Sequence, residues 1–252
     1  MTPIASEAGA ETTIDHFFEG RLQLVQPKTG YRIAIDPLLL AAAIDVPQGA
    51  RVLDVGCGTG AALLSLLTRR PDVQGVGLER HIPFLDLARQ SISLNNVSGR
   101  ASLLQGDLAS SPTEVSSAEF DAVMTNPPFF EVGTVPDRPE VDSTHAVTEL
   151  SLAVWVQKCL GLLKSGGLFA IIHRAERVAE IIQALKGCGS ITVIPLWPKA
   201  GRPASRVIVT ALKDRKSSAV IQPGLILHQD DGSYTEPAAA ILRYGHALDS
   251  LA

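Results

Sequence analysis

This 252-residue chain is poor in several things that would have pointed to a particular class of protein. It has only three cysteines, Cys57, Cys159 and Cys188, which are odd in number, scattered and without metal-ligand spacing. That excludes a disulfide framework and a thiolate zinc site, and it points to a reducing compartment. Aromatic residues are 5% of the chain. No apolar run approaches the length needed to span a bilayer; a stretch such as Leu38–Ile44 is far too short. Basic residues are not in excess: the net charge is −4 and the pI about 5.9, which excludes a generally basic nucleic-acid binder while allowing a local basic patch. The amino-terminal stretch carries the acids Glu7 and Glu11 where a signal peptide would carry positive charge. The expectation is a cytoplasmic protein with no metal and no membrane segment.

What is present is ordinary globular composition, 46% hydrophobic and 19% charged, enough for one large domain with additions. Residues 1 to about 15 are small and polar and read as a mobile tail. Arg21–Gln26 alternates as a strand does, and Asp36-Pro37 opens a helix as N-cap and first helical residue. From about residue 49 the pattern is strand, helix, strand, helix. Strands are expected near 51–55, 73–78, 101–105, 120–125 and 168–172, and helices near 61–70, 82–94, 148–163 and 174–186. Strands near 191–197 and 205–212 read as a closing hairpin. Such alternation predicts an α/β fold with a largely parallel, doubly wound, Rossmann-like sheet. The implied division is an extension at 1–48 covering the site, a main domain at 49–213 and an appendix at 214–252. Residues 131–144, rich in Gly, Pro and charge, read as a long loop beside the site.

Candidate site residues fall at the carboxyl ends of strands, where open α/β sheets bind ligands. After the first main strand comes Asp54-Val-Gly56-Cys-Gly58-Thr-Gly60, whose glycines let backbone lie against a ligand. The spacing departs from the dinucleotide form, and an acid at Asp54 suits a cationic ligand end better than a pyrophosphate. Glu79, followed by Arg80, ends the second strand and is placed to accept ribose hydroxyls. Asp107 follows the third and is placed to take an adenine amino proton. Asn126-Pro127-Pro128-Phe129 follows the fourth; two prolines cannot continue a ladder, so the chain must turn out of the sheet there.

In this order the motifs resemble those of class I S-adenosylmethionine-dependent methyltransferases, across roughly residues 50–212. The Asn-Pro-Pro-Phe form resembles enzymes acting on exocyclic or amide nitrogens. More narrowly, the chain is similar to bacterial tRNA (adenine37-N6)-methyltransferases. That resemblance draws in Gly30-Tyr31-Arg32, Ile35-Asp36 and Pro203-Ala-Ser-Arg206-Val207. It implies S-adenosylmethionine as cofactor, Tyr31 and Asp36 beside it, and RNA as partner. Ser143-Thr-His145-Ala146 lacks the Arg of the family's pattern there, so His145 reads as an ordinary loop histidine. An amino nitrogen on adenine is a weak nucleophile. The Asn126 side-chain oxygen and the Pro127 carbonyl are suited to accept its hydrogens, and Phe129 to stack on the base. Lys199, Arg202, Arg206, Lys213, Arg215 and Lys216, against a single Asp214, form a basic segment suited to phosphates. A protein glutamine-N5 or rRNA guanine-N2 methyltransferase, or a non-catalytic RNA-binding module, are the alternatives.

Overall fold

The computed structural model describes residues 11–29, 32–110, 119–131, 147–148 and 150–248. Gly30, Tyr31, the Ser-rich segment 111–118, nearly all of the 131–144 loop and His145 lie outside the described residues.

The first described residues are a strand. β1 (Thr12–Phe17) pairs antiparallel with β2 (Leu22–Pro27), so the mobile tail expected to about residue 15 does not reach Thr12. The Thr-Thr-Ile run that reads as polar is β-branched and pairs well on a pleated surface. α1 (Asp36–Ala42) follows, with Ile35 at the N-cap and Asp36 already inside the first turn; the Asp36 carboxylate is engaged elsewhere.

The main sheet is then built from β3 (Arg51–Val55), β4 (Gln74–Glu79), β5 (Ala101–Gln105), β6 (Phe120–Thr125) and β9 (Leu163–Arg174), all parallel to their neighbours in this set. The short β7 (Phe130–Glu131) and β8 (Val147–Thr148) pair apart from it. β10 (Cys188–Lys199) and β11 (Arg206–Lys213) form the expected antiparallel hairpin. β11 inserts between β9 and β10. The crossovers carry α2 (Ala61–Arg69), α3 (Ile82–Leu94), α4 (Leu152–Leu162) and α5 (Val178–Ala184). α4 starts later than expected because Ser151 caps it, accepting from the Val154 N–H. The expected helix at 174–186 is shortened because Ala175–Arg177 is a 3-10 turn.

The strand order is β12-β10-β11-β9-β6-β3-β4-β5, with β13 also on β10. β12 (Val220–Ile221) and β13 (Leu225–His228) come from the segment expected as an appendix, so that segment extends the sheet. α6 (Glu236–Tyr244) follows, with Thr235 capping it.

Both sheet faces are buried, as the near-continuous apolar strands require. Along β3, Val52 joins one core cluster, with α1, α2 and α6, while Leu53 and Val55 join the other, with α4 and α5. Phe18, Leu22 and Leu24 of the amino-terminal hairpin belong to the first cluster, so the 1–48 extension shares the core of the main domain. Gly75 in β4 is where α2 presses closest: a Cβ there would lie 2.5 Å from Leu63 Cδ1. The chain runs from β3 outward through β4 to β5, then returns to β6 on the other side of β3. That reversal leaves a crevice outside the carboxyl ends of β3 and β6.

Candidate active site

The crevice holds a cavity among the described residues. It is lined by Gly56 and Gly58 after β3, Glu79, Arg80 and His81 after β4, Gly106, Asp107 and Leu108 after β5, and Asn126–Phe129 after β6, with Phe84 of α3 and Trp155 of α4. Of the residues singled out from the sequence, Gly56, Gly58, Glu79, Arg80, Asp107 and Asn126–Phe129 meet here; Asp36, Asp54, Gly60, Lys199, Arg202 and Arg206 are not on this wall.

Each residue is placed by local structure. Gly56, Gly58 and Gly60 all have positive φ, at 72°, 55° and 85°, so the loop folds through left-handed conformations that favour glycine. The Gly60 N-cap of α2 has no side chain with which to cap, and Asp54 does so instead: its Oδ2 accepts from the Leu63 N–H at 3.1 Å. Asp54 is 2% exposed, and its carboxyl is raised to about 7, first by burial and further by Glu79, against the Leu63 hydrogen bond. The acid expected at a ligand ammonium therefore holds the glycine loop to the helix behind it.

Glu79 is buried with both oxygens in use. Oε2 accepts from the Gly58 N–H at 3.0 Å and Oε1 from the His81 N–H at 2.9 Å. This fixes the carboxylate while leaving lone pairs for a ligand. Asp107 accepts from the Ala109 N–H at 2.8 Å and lies 3.7 Å from Arg80 Nη1. Between these acids the wall is apolar: Leu78, Phe84 and Leu108.

Asn126 stands opposite. Its Oδ1 is buried with no hydrogen-bond partner among the described residues. Such an atom costs about 1–3 kcal/mol unless something supplies a donor. Beside it, Trp155 Nε1 donates to Thr125 Oγ1 at 3.0 Å, and that hydroxyl donates to the Val55 carbonyl at 2.9 Å, tying the wall to β3 and β6. Trp155, like His81 and Phe84, is a wall residue that sequence reasoning missed; on α4 its spacing is that of a core residue.

Phe129 is not free on both sides. His173 meets it edge-on at 5.3 Å between centroids, and the Arg206 guanidinium carbon lies 4.8 Å from its ring centroid. Burial, reinforced by Arg177, Arg174 and Arg206, lowers His173 to about 4, so it is neutral near pH 7. Arg206 is in turn paired with Asp36, Nε to Oδ2 at 3.0 Å. The basic segment is divided: Lys199, Arg202 and Arg206 lie at the carboxyl edge with the site. Lys213 lies at the other end of the hairpin, donating to the Leu163 carbonyl, and Arg215 packs against Gly166. An eight-residue strand separates the two groups, so they cannot act as one patch.

A family model described as methyltransferase small domain matches residues 31–186. The chain belongs to that family. It is 25% identical over 221 residues to a tRNA1(Val) (adenine(37)-N6)-methyltransferase of Actinobacillus succinogenes, covering 85% of this chain and 90% of that one. It is also 30% identical to a release factor glutamine methyltransferase of Caulobacter vibrioides, covering 68% of this chain and 60% of that one. In structure it is similar to a predicted O-methyltransferase of Agrobacterium tumefaciens, with TM-score 0.70 and 26% identity, covering 84% of this chain and 97% of that one. The methyl donor of this methyltransferase is S-adenosylmethionine, and the cavity fits it: a fixed acceptor at Glu79, an apolar wall, and glycine backbone with no Cβ at Gly56 and Gly58. Among the described residues no group of three or more His, Cys, Asp or Glu is arranged to hold a metal, and no helix is long and apolar enough to cross a membrane.

Proposed function

We propose that this methyltransferase acts on an exocyclic amino nitrogen, and that its acceptor is adenine N6 in a tRNA. The observation that carries the reading is the buried Oδ1 of Asn126 on the cavity wall, unpartnered among the described residues. An amino group brings the N–H donor that this oxygen lacks. With the Pro127 carbonyl taking the second hydrogen, the nitrogen is drawn towards tetrahedral geometry with its lone pair directed into the cavity. Pro127 and Pro128 fix the backbone on which both acceptors depend. S-Adenosylmethionine supplies a methyl group already activated as a sulfonium, so what the chain must provide is chiefly alignment.

In this reading Glu79 holds ribose hydroxyls and Asp107 the adenine amino group, with Arg80 pairing to Asp107. The glycine backbone, kept in place by Asp54 capping α2, takes the rest of the donor. Lys199 and Arg202, at the site edge of the β10–β11 hairpin, contact phosphates. The name of the Actinobacillus relative supports tRNA as the acceptor. The likeness to a release factor glutamine methyltransferase favours a second reading, in which the same acceptors hold a glutamine side-chain amide. Incubation with S-adenosylmethionine and unmodified tRNA, followed by mass spectrometry of the nucleosides, tests the proposal. N6-methyladenosine is expected; methyl transfer confined to a protein substrate would establish the second reading instead.

A further inference from the structure

The geometry points to Asp36 and Arg206 as a pair of positioning residues that hold Phe129 in place for the acceptor group. This rests on the reading of Asn126–Phe129 as the acceptor site. Asp36 is in the first turn of α1, Arg206 opens β11, and Phe129 follows β6; nothing local in the chain brings them together. Yet Asp36 Oδ2 holds Arg206 Nε at 3.0 Å, and the guanidinium carbon lies 4.8 Å from the Phe129 centroid. The Asp36 side chain is only 12% exposed, so its charge must be paired, and the pairing fixes the fork of Arg206. A second contact comes from β9. His173, one strand away in register with Val207, meets the ring edge-on, and Arg174 Nη2 donates to the Phe129 carbonyl at 3.3 Å. Phe129 is thus contacted both by a cation anchored by the amino-terminal segment and by an imidazole of the central sheet.

Two assignments made from sequence change as a result. Asp36 does not line the donor cavity, and Arg206 points its guanidinium at an aromatic ring and a carboxylate. A planar guanidinium can do this and a lysine ammonium cannot in the same way. Arg206 therefore acts on turnover through Phe129, and a phosphate contact is not its role.

The full chain labelled with 4-fluorophenylalanine gives a test that does not depend on the substrate. The Phe129 resonance is assigned by its loss in Phe129→Leu, and it is expected to shift in Arg206→Ala and in Asp36→Asn. In steady-state methylation of tRNA both variants should lose about tenfold in kcat, the size expected for a cation–π contact and its anchor. KM and the slope of log affinity against log salt should hold. Arg206→Lys should fall between wild type and Arg206→Ala, and Asp36→Asn with Arg206→Gln, which leaves no buried charge unpaired, should cost no more than Arg206→Ala alone. An unmoved Phe129 resonance would overturn the proposal. So would an unchanged kcat with a salt slope reduced by about 1, the signature of a phosphate contact. If wild type methylates no tRNA, the acceptor reading fails by itself, and the fluorine shift still decides whether the pair holds Phe129.

Discussion

On the β3–β4–β5 side, the two acids that line the cavity are already tied to backbone, Glu79 to Gly58 and His81 and Asp107 to Ala109, while Asp54 behind them caps α2 at Leu63. On the β6–β9–β11 side Arg174, Arg177 and Arg206 are paired with Glu176, Glu180 and Asp36, and among the described residues the buried Asn126 Oδ1 and His173 Nδ1 have no hydrogen-bond partner. The carboxylates of one wall are held by backbone before any ligand arrives. The other wall presents, at Asn126 Oδ1, an acceptor that the described residues leave without a donor. Such an atom costs about 1–3 kcal/mol unless something supplies a donor. The contrast supports the proposed division, methyl donor on one wall and acceptor group on the other, and it can be broken one side at a time.

The largest effect is expected at the incomplete wall. Asn126→Ala removes an acceptor aimed at the reacting nitrogen, and by analogy with single preorganised hydrogen-bonding groups kcat should fall by about 10²–10³. Calorimetric titration with S-adenosylmethionine should find donor affinity within a few-fold of wild type, because the acidic wall is untouched. A parallel loss of donor binding would show that the two walls are not separable.

Behind the satisfied wall, Asp54 gives the next effect, on stability and not on chemistry. Its folded pKa of about 7 lies above the ordinary value of 3.8, chiefly because of burial. The folded state therefore holds a proton that the unfolded state gives up. Stability from this group is complete at low pH, falls as pH rises between those two values, and levels off above the upper one. The slope is at most about 1.4 kcal/mol per pH unit. Asp54→Asn keeps an acceptor for the Leu63 N–H and carries no charge. The stability difference between wild type and variant in urea unfolding should therefore move in the variant's favour from pH 4 to 7. A constant difference would mean that Asp54 is not shifted.

Glu79→Ala should be felt in donor binding. Hydrogen bonds to a charged group contribute ~1.5–3 kcal/mol each, so donor affinity should drop by at least about tenfold. Gly58 and His81 also lose their acceptor, and Glu79→Gln should recover part of the loss, since one amide oxygen can still accept. Unchanged affinity in Glu79→Ala would remove this carboxylate from the donor site.

Much of this site was legible before any coordinates, and for one reason: Gly56, Glu79, Asp107 and Asn126 each lie at or just beyond the carboxyl end of a strand, and a parallel sheet brings strand ends to one edge. Fold class and hairpin followed from the same alternation. What was not legible depends on contacts between residues far apart in the chain. Asp54 capping α2 could have been suspected, since a helix opening on glycine has no cap of its own and a buried acid lies nine residues before its third position. Trp155 could not, because a tryptophan on an amphipathic helix reads as core. Nor could the Asp36–Arg206–Phe129 contact, which needs three elements in register. The appendix was misjudged because Val220–Ile221 and Leu225–His228 are short and carry turn residues around them; the edge of β10 gives them their partner.

The smallest expected effect separates the two ends of the β10–β11 hairpin. Lys199 and Arg202 stand at the edge shared with the site, Lys213 and Arg215 at the other, yet in sequence they form one basic run. Lys199 Nζ donates to the Asp230 carbonyl at 2.9 Å, an exposed contact that a phosphate can replace. If tRNA lies across the site edge, Lys199→Ala and Arg202→Ala should each weaken binding modestly at low salt and reduce the magnitude of the salt slope by about 1. Lys213→Ala removes the hydrogen bond to the Leu163 carbonyl and should leave the slope unchanged, whatever it costs the sheet. Filter binding of one tRNA across a salt series measures all three. Equal slope changes for Lys199 and Lys213 would mean that the RNA wraps both ends of the strands, and that the division of charge along the hairpin does not define the docking edge.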